Sequence, residues 1–416
     1  MPNLGLVEEK EETTFFEEDE DQVNSLESNS AERLSELDEI AGIVVSGTDW
    51  TTATVLDQLV RGNIQLNPRF QRRDAWNITR KSRFIESIIL GFPIPQIVLA
   101  SNEKERGKFI VLDGKQRLLT ILQFYGKSDT PNNKFTLKDL EFRPELNGYT
   151  YEDLKNNLLF ADILDPLDNQ TIRTTLIRNW HTDNFLYKIF LRLNVESTPL
   201  SPQELRQALH PGEFVNFLDD QSIKSQALRR ILKSKNPDFR MRDVELLLRY
   251  VAFHYFLSEY RGNLKAFLDM TCESLNKNWN RRTDNVHYAI TQFDKAVETT
   301  MNIFGEKNFS RMWLGGSKVY RRQFNRAILD VMVFYFSDDL IREAAEKDKT
   351  AVENAFKELC SSSENGFREA VEGTTKNIRE THIRLSLWGS ALLGVLDLEF
   401  NLPELVDNHI VFKGLR

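Results

Sequence analysis

The sequence predicts an α+β protein: a first half in which short strands alternate with helices, then a mainly helical second half. Two observations carry this. Between Trp50 and His210, short runs rich in β-branched and aromatic residues alternate with stretches whose apolar residues recur at i, i+3, i+4 and i+7. After His210-Pro-Gly212, strand signals become scarce and amphipathic stretches follow one another to the end. A third observation sets off the start of the chain. Residues 1–40 hold 14 acidic and 2 basic residues, a net of −12, so the other 376 carry 52 Lys+Arg and 48 Asp+Glu, a net of +4. The whole-chain charge of −8 therefore describes one segment. The expected division is an acidic disordered tail (1–44, with order beginning after about Ala41), an α+β domain (45–210) and a helical domain (211–416).

The α+β part reads in order as follows. Thr51 to Arg61 is a short helix with Val55, Leu56 and Leu59 on one face, closed by Gly62. Ile64 to Leu66 is a strand stopped by Asn67-Pro68. Asn77 caps a helix through Leu90, with Ile78, Phe84, Ile85, Ile88 and Ile89 facing inward and Trp76 placed as a hydrophobic staple. Gly91-Phe-Pro-Ile-Pro95 forces an extended passage. Gln96 to Ala100 and Lys108 to Leu112 are strands joined by a charged hairpin loop. Asp113-Gly114 then turns the chain into a helix striped by Leu118, Leu119, Ile121, Leu122 and Tyr125, with Gly126 at its end. Residues 127–160 are polar and turn-rich, a surface excursion. Thr171 to Arg178 alternates, with Ile172, Thr174 and Leu176 on the buried side. Asp183 to Leu193 is a helix, and Ser201-Pro-Gln-Glu204 is a capping box that opens another.

The chemistry concentrates at the strand–turn–helix of Leu112-Asp-Gly-Lys-Gln-Arg117. Free N–H groups and the positive end of the helix dipole favour an anion there, and Lys115 and Arg117 add positive charge. An ordinary turn with solvated charges accounts for this stretch equally well. Arg117 lies off the Leu118/Leu122 stripe, which predicts an exposed side chain. No Walker A loop and no Gly-x-Gly-x-x-Gly fingerprint occurs. Phe70-Gln-Arg-Arg73 places Gln71 and Arg72 to read a base edge, clamp a phosphate or brace neighbouring loops.

Four motifs in order carry a resemblance: Pro68-Arg-Phe-Gln-Arg-Arg-Asp-Ala-Trp76, Gly91-Phe-Pro-Ile-Pro95, Asp113-Gly-Lys-Gln-Arg117, and Phe190-Leu-Arg-Leu-Asn194 followed by Glu204-Leu-Arg206. Over about residues 45 to 335, including Arg242-Asp-Val-Glu245 and Arg321-Arg-Gln-Phe-Asn325, the chain resembles the family of the GmrSD restriction-endonuclease N-terminal domain. The resemblance implies a ParB/sulfiredoxin-like domain with a small mixed sheet. It further implies a nucleoside-triphosphate-dependent recognition or regulatory subunit of a bacterial DNA-restriction or phage-defence system, hydrolysing NTP with Mg²⁺. Asp113, Gln116 and Arg117 would be catalytic, with Asp113 the metal ligand. Gly114, Lys115, Gln71, Arg72, Arg192 and Asn194 would bind nucleotide. The family has Gln where this chain has Lys115, which can still meet a phosphate as a point charge. For Arg192, Asn194, Glu204 and Arg206, an internal salt bridge that orients the pocket is as good a reading as ligand contact. A non-catalytic DNA-binding adaptor of the same fold and a nicking nuclease using the same pocket are the alternative activities.

The other expectations are short. Arg229, Arg230, Lys233, Lys235 and Arg240, next to Arg242, form a local basic run that fits a nucleic-acid face or a solvated helix end. The six histidines show no metal-ligand spacing, and Asp407-Asn-His409 reads as a tail rather than the entry to an HNH nuclease, so a separate nuclease subunit is expected. Two cysteines, no apolar run of about 18 residues and no basic-then-apolar leader lead to the expectation of a cytoplasmic protein with no membrane segment. DNA is the expected partner, and a homodimer stays open. Two roles fit the acidic tail: a solvating segment, or a mimic that competes with nucleic acid. Deleting residues 1–40 is expected to leave the melting temperature nearly unchanged. If the tail is a mimic, its removal tightens DNA binding at low salt; equal binding curves reduce it to a solubiliser.

Overall fold

The computed structural model describes residues 42–66, 76–102, 105–127, 134–180, 182, 185–186, 189, 192, 201–234, 236–362, 364–373 and 376–412. The chain divides into two compact units: one runs to Pro211 and includes Pro237–Arg242, and the other holds Gly212–Asn236 and Asp243 onward. The acidic residues 1–41, Gln71, Arg72, Asn194 and Lys235 lie outside the described residues.

The first unit is built on a five-stranded mixed sheet in the order β1-β5-β3-β4-β2. Its strands are β1 (Val44–Thr51), β2 (Ile64–Gln65), β3 (Ile97–Ser101), β4 (Phe109–Asp113) and β5 (Thr171–Arg178). β1 runs antiparallel to β5, β5 parallel to β3, β3 antiparallel to β4, and β4 parallel to β2. Sequence reasoning missed β1. It pairs with β5 over eight residues, Val44 opposite Arg178 through Thr51 opposite Thr171.

Period-2 alternation divides the sheet between two cores. Ile97, Leu99, Val111, Ile172 and Leu176 face one core with Val55, Phe84, Ile85, Ile88, Leu118, Ile121 and Leu122. These helical residues come from α1 (Thr52–Val60), α2 (Ile78–Ile89) and α3 (Lys115–Phe124). Val98, Ala100, Ile110, Leu112 and Ile177 face the other core with Trp180, Leu186, Leu205 and Leu209. The caps behave as their residue types dictate. Thr51 accepts from the Thr54 amide at 3.1 Å and Asn77 from the Arg80 amide at 2.9 Å. Gly126, at φ 64°, closes α3: its amide donates to Gln123 and that of Lys127 to Leu122, the paired bonds of a Schellman ending.

Three expectations are corrected here. Ile78 is 41% exposed, because the first turn of α2 lies beyond the core face. Trp76 packs edge-on against Phe84 at 5.6 Å, and the fourth helical residue, where a staple needs an apolar partner, is Lys81. Residues 127–160 are not only a surface excursion. Phe135, Leu137, Leu140, Leu146 and Leu154 enter the core, and the segment contains α4 (Tyr151–Lys155). Polar groups on α2 anchor it: the buried Glu86 carboxylate accepts from the amides of Glu141, Phe142 and Arg143 at 2.7–3.1 Å, and Ser82 accepts from Lys138 at 3.0 Å. A carboxylate buried in this way is satisfied by charge-assisted bonds to backbone. The unit is completed by α5 (Ala161–Asn169) and α6 (Pro202–Leu209).

The second unit is mainly helical, as its amphipathic runs require. It holds α7 (Glu213–Lys224), α8 (Gln226–Leu232), α9 (Arg242–Phe256, whose first residue belongs to the other unit), α10 (Leu264–Lys277) and α11 (Trp279–Phe304). A hairpin follows, β6 (Trp313–Leu314) with β7 (Val319–Tyr320). Then come α12 (Arg326–Phe336), α13 (Asp339–Lys347), α14 (Lys349–Ser361), α15 (Phe367–Glu372) and α16 (Ile378–Leu393). The stretch around Asp407-Asn-His409 is not a loose tail. β8 (Pro403–Val406) pairs antiparallel with β9 (His409–Phe412), and Asp407 and Asn408 take φ 49° and 60° in the two-residue turn. Positive φ at both turn residues matches the right-handed twist of the strands, and Asp and Asn tolerate it. No helix among the described residues is long and apolar enough to cross a membrane.

Candidate functional site

The site is the junction of β4 with α3. Opposite it, β3 and β4 shift register between Val98 and Leu99: Leu99 faces Val111 but Val98 faces Asp113, so β4 holds one extra residue. Such a bulge bends a strand and re-aims its last side chains. Gly114 follows at φ 96°, where an added Cβ would sit 3.0 Å from Ile97 and 3.3 Å from the Arg117 guanidinium. Glycine is required there both for the left-handed backbone and for the space. Gly114 is also the N-cap of α3 and supplies no side-chain cap. The first-turn N–H groups of an α-helix have no intrahelical acceptors, and the cap residue here brings no side chain to accept from them. The turn is therefore shaped to receive an anion on backbone donors.

The charges around this turn differ from the expectation. Arg117 is 9% exposed, not a surface residue. Its Nη2 donates to Asp113 Oδ2 at 2.7 Å and to the Gln96 carbonyl at 2.9 Å, and β3 begins immediately after Gln96. Lys115 is 6% exposed and forms an ion pair with Glu204, which is equally buried. The two cations thus arrive already matched by two carboxylates, and their charge is not simply added to that of the helix dipole. The periodicity of α3 placed Arg117 correctly off the Leu118/Leu122 stripe. It could not show that β3 and the bulged strand close over that side.

Glu204 has two tasks. Its Oε2 accepts from the Ser201 amide at 2.6 Å while the Ser201 hydroxyl accepts from the Glu204 amide at 3.1 Å, completing the capping box. Its Oε1 takes Lys115. Through it α6 is tied to the first residue of α3, across 89 positions of sequence. The sequence reading offered a salt bridge among Arg192, Glu204 and Arg206; the partner that Glu204 has is Lys115. Arg206 Nη1 donates to Gln203 Oε1 at 2.5 Å within α6.

Around this linkage lies a group of buried polar atoms with no hydrogen-bond partner in the protein: Gln116 Oε1, Arg117 Nε, Gln203 Nε2 and both amide atoms of Gln207. Gln203 and Gln207 sit one helical turn apart on α6 and are each 1% exposed. A buried amide without a bond costs about 1–3 kcal/mol, so α6 is more polar here than stability alone favours. Sequence reasoning gave neither Gln203 nor Gln207 a role. Their spacing on the helix that carries Glu204 was the available signal.

The remaining expected site residues stand as follows. Asp113 and Gln116 are half-buried at the mouth of the turn. Arg192 is helical and exposed. Gln71, Arg72 and Asn194 lie outside the described residues, as does Lys235. In the basic run, Arg229 donates to the Ile223 carbonyl at 2.7 Å and Arg230 pairs with Glu306 at 2.6 Å. Lys233 is the left-handed C-cap of α8. Arg240 belongs with the first unit, in the segment where the Asp238 carboxylate accepts from the Arg240 amide and pairs with Arg242. The run is thus divided between the two units.

A Mg²⁺ ion would meet one carboxylate here, Asp113. Among the described residues no three His, Cys, Asp or Glu side chains gather as a metal site. That suits an ion held by one carboxylate, water and the phosphates of a substrate, which is how Mg²⁺ is ordinarily bound, and does not suit a metal caged by protein alone.

No curated protein and no solved structure matches the chain. A family described as the GmrSD restriction endonuclease, N-terminal domain, does match, over residues 56–211. The matched segment contains β2 to β5, the Asp113–Arg117 turn and the whole of α6, and leaves β1 outside. On that match, residues 56–211 belong to the GmrSD restriction endonuclease N-terminal domain family.

Proposed function

We propose that this protein is a nucleotide-dependent component of a DNA-restriction or phage-defence system, and that it binds and hydrolyses a nucleoside triphosphate at the Asp113–Arg117 turn. The observation that carries the reading is the uncapped N-terminus of α3, set behind a β-bulge with Arg117 held at its foot. Buried polar atoms of Gln116, Gln203 and Gln207 that meet no protein partner support it as further contacts for a polar ligand.

The matched charges suggest how the residues work. At rest Asp113 and Arg117 satisfy each other. With nucleotide and Mg²⁺ bound, Asp113 would hold the ion and Arg117 would turn its guanidinium fork to a phosphate. Mg²⁺ would neutralise charge developing on the phosphates. Gln116, half-buried beside the turn, would orient the attacking water. Lys115 takes no phosphate in this reading; it holds α6 in place through Glu204.

A thermal-shift panel of the four nucleoside triphosphates, with and without Mg²⁺, tests the proposal. A ligand at about 100 times its Kd adds about 2.7 kcal/mol, a clear rise in melting temperature. A flat response to all four refutes nucleotide binding.

The proposed partners are DNA and a separate nuclease chain. Plasmid incubated with the purified protein, NTP and Mg²⁺ is then expected to stay supercoiled. Clean NTP-dependent relaxation or cutting by this chain alone would assign the nuclease activity to it instead. The adaptor reading predicts binding without phosphate release.

A further inference from the structure

The second unit brings two basic stretches together that are far apart in sequence. One is the end of α8, with Arg229 and Arg230 in its last turn and Lys233 at its C-cap. The other runs from Lys307 to Leu329, with six basic residues (Lys307, Arg311, Lys318, Arg321, Arg322 and Arg326) and no Asp or Glu. They meet where Arg230 pairs with Glu306, in the turn that leaves α11.

From that turn the chain enters the β6–β7 hairpin, which is firmly based. The Arg321 amide donates to the Met312 carbonyl and that of Asn325 to Ser310, both at 2.8 Å. Trp313 and Tyr320 pack edge-on at 4.9 Å, and Lys357 lies over the Trp313 ring at 5.0 Å. The Tyr320 hydroxyl donates to Glu353 at 2.9 Å. The hairpin's cations fall into two kinds. Arg321 pairs with Glu372 at 2.9 Å and Arg326 faces Glu245 at 3.6 Å. Lys307, Lys318 and Arg322 are exposed and face no carboxylate among the described residues. Lys318 stands in the hairpin turn, Arg322 beyond the second strand and Lys307 at the exit of α11.

We infer that the β6–β7 hairpin and the adjoining end of α8 form a face that binds the phosphate backbone of duplex DNA. Unpaired cations spread along a ribbon suit a repeating polyanion, whereas one phosphate is held by converging groups. An ion-paired base keeps the ribbon rigid while its free charges stay in water. The inference rests on reading this chain as a DNA-directed protein, but not on nucleotide hydrolysis.

The test is fluorescence anisotropy with a fluorescein-labelled duplex of about 30 base pairs, titrated with the full-length protein at about 50 to 200 mM salt. The double variant Lys318→Glu/Arg322→Glu is expected to bind about 10-fold or more weakly, and to lower the salt slope by about 1.8. Both side chains are exposed, and a melting curve confirms the fold. The reference is Arg106→Glu/Lys138→Glu, the same charge change at exposed positions of the first unit, which is expected to keep the wild-type slope. The proposal is overturned if the reference weakens binding as much, if the hairpin variant binds like wild type, or if wild type does not bind the duplex at low salt. It falls as well if a peptide of residues 1–40 binds the face and the duplex does not, since the occupant is then the chain's own acidic segment. Phosphate release from the same preparations is read separately: its absence from the wild type counts against the nucleotide reading alone.

Discussion

Glu204→Ala is expected to destabilise the first unit by about 3–5 kcal/mol, the usual cost of leaving one charge of a buried ion pair without its partner. Lys115 and Glu204 are both almost fully buried. The same substitution removes half of a capping box, worth about 1 kcal/mol more. In a unit of this size that amounts to a fall in melting temperature of about 10 °C or more. Lys115→Gln, which restores the residue usual in the family, is expected to be costly as well, because it leaves the Glu204 carboxylate buried and unmatched. The double variant Lys115→Gln/Glu204→Gln removes both charges together and is expected to recover most of the loss. Melting curves of the three proteins decide the matter. Single variants that melt with the wild type, or a double variant whose loss is the sum of the two, would show that the pair does not tie α6 to α3.

The second large effect lies in the helical unit. Asp330 on α12 pairs with Arg249 on α9, and both side chains are buried. Arg384 on α16 is 2% exposed; burial pulls its pKa down to about 10, and the Asp330 carboxylate acts against that pull. One carboxylate therefore offsets two buried guanidinium groups. Asp330→Ala is expected to cost about 3–5 kcal/mol, and Asp330→Asn less, since the amide oxygen still accepts from Arg249. Urea unfolding of each variant checks this. A midpoint for Asp330→Ala close to that of the wild type would mean that Arg249 and Arg384 find water or another acceptor.

How much of this was legible in the sequence depended on how far apart the interacting residues lie. The strand–turn–helix from Phe109 to Phe124, the glycines at 114 and 126, the Asn77 and Ser201 caps and the helical second half were all set by neighbours within a few positions. What was missed depends on distant partners. Arg117 looked like a surface residue because nothing near it in sequence says that β3 brings the Gln96 carbonyl to it. Lys115 looked like a free phosphate ligand because Glu204 lies 89 residues away. Residues 127–160 looked like an excursion because the Glu86 carboxylate that holds the backbone at 141–143 belongs to another helix. β1 was hidden by its position at the end of an acidic segment and by Gly47. Its strand character comes from pairing with β5 more than 120 residues later. Charge pattern and periodicity showed which residues were chemically capable, and the fold decided which of them were already matched.

In the proposed function the Asp113–Arg117 turn receives the phosphates of a nucleotide, with Asp113 acting on the metal or the water. Phosphate release by wild type and Asp113→Asn, each beside its own melting curve and nucleotide titration, tests it most directly. The asparagine oxygen can still accept from Arg117, so the variant is expected to melt within a few degrees of wild type and to bind nucleotide, while losing hydrolysis at least about 100-fold, as removal of a group that acts on the reacting centre does. An Asp113→Asn protein that folds and releases phosphate at the wild-type rate would place the hydrolytic site elsewhere and contradict the account.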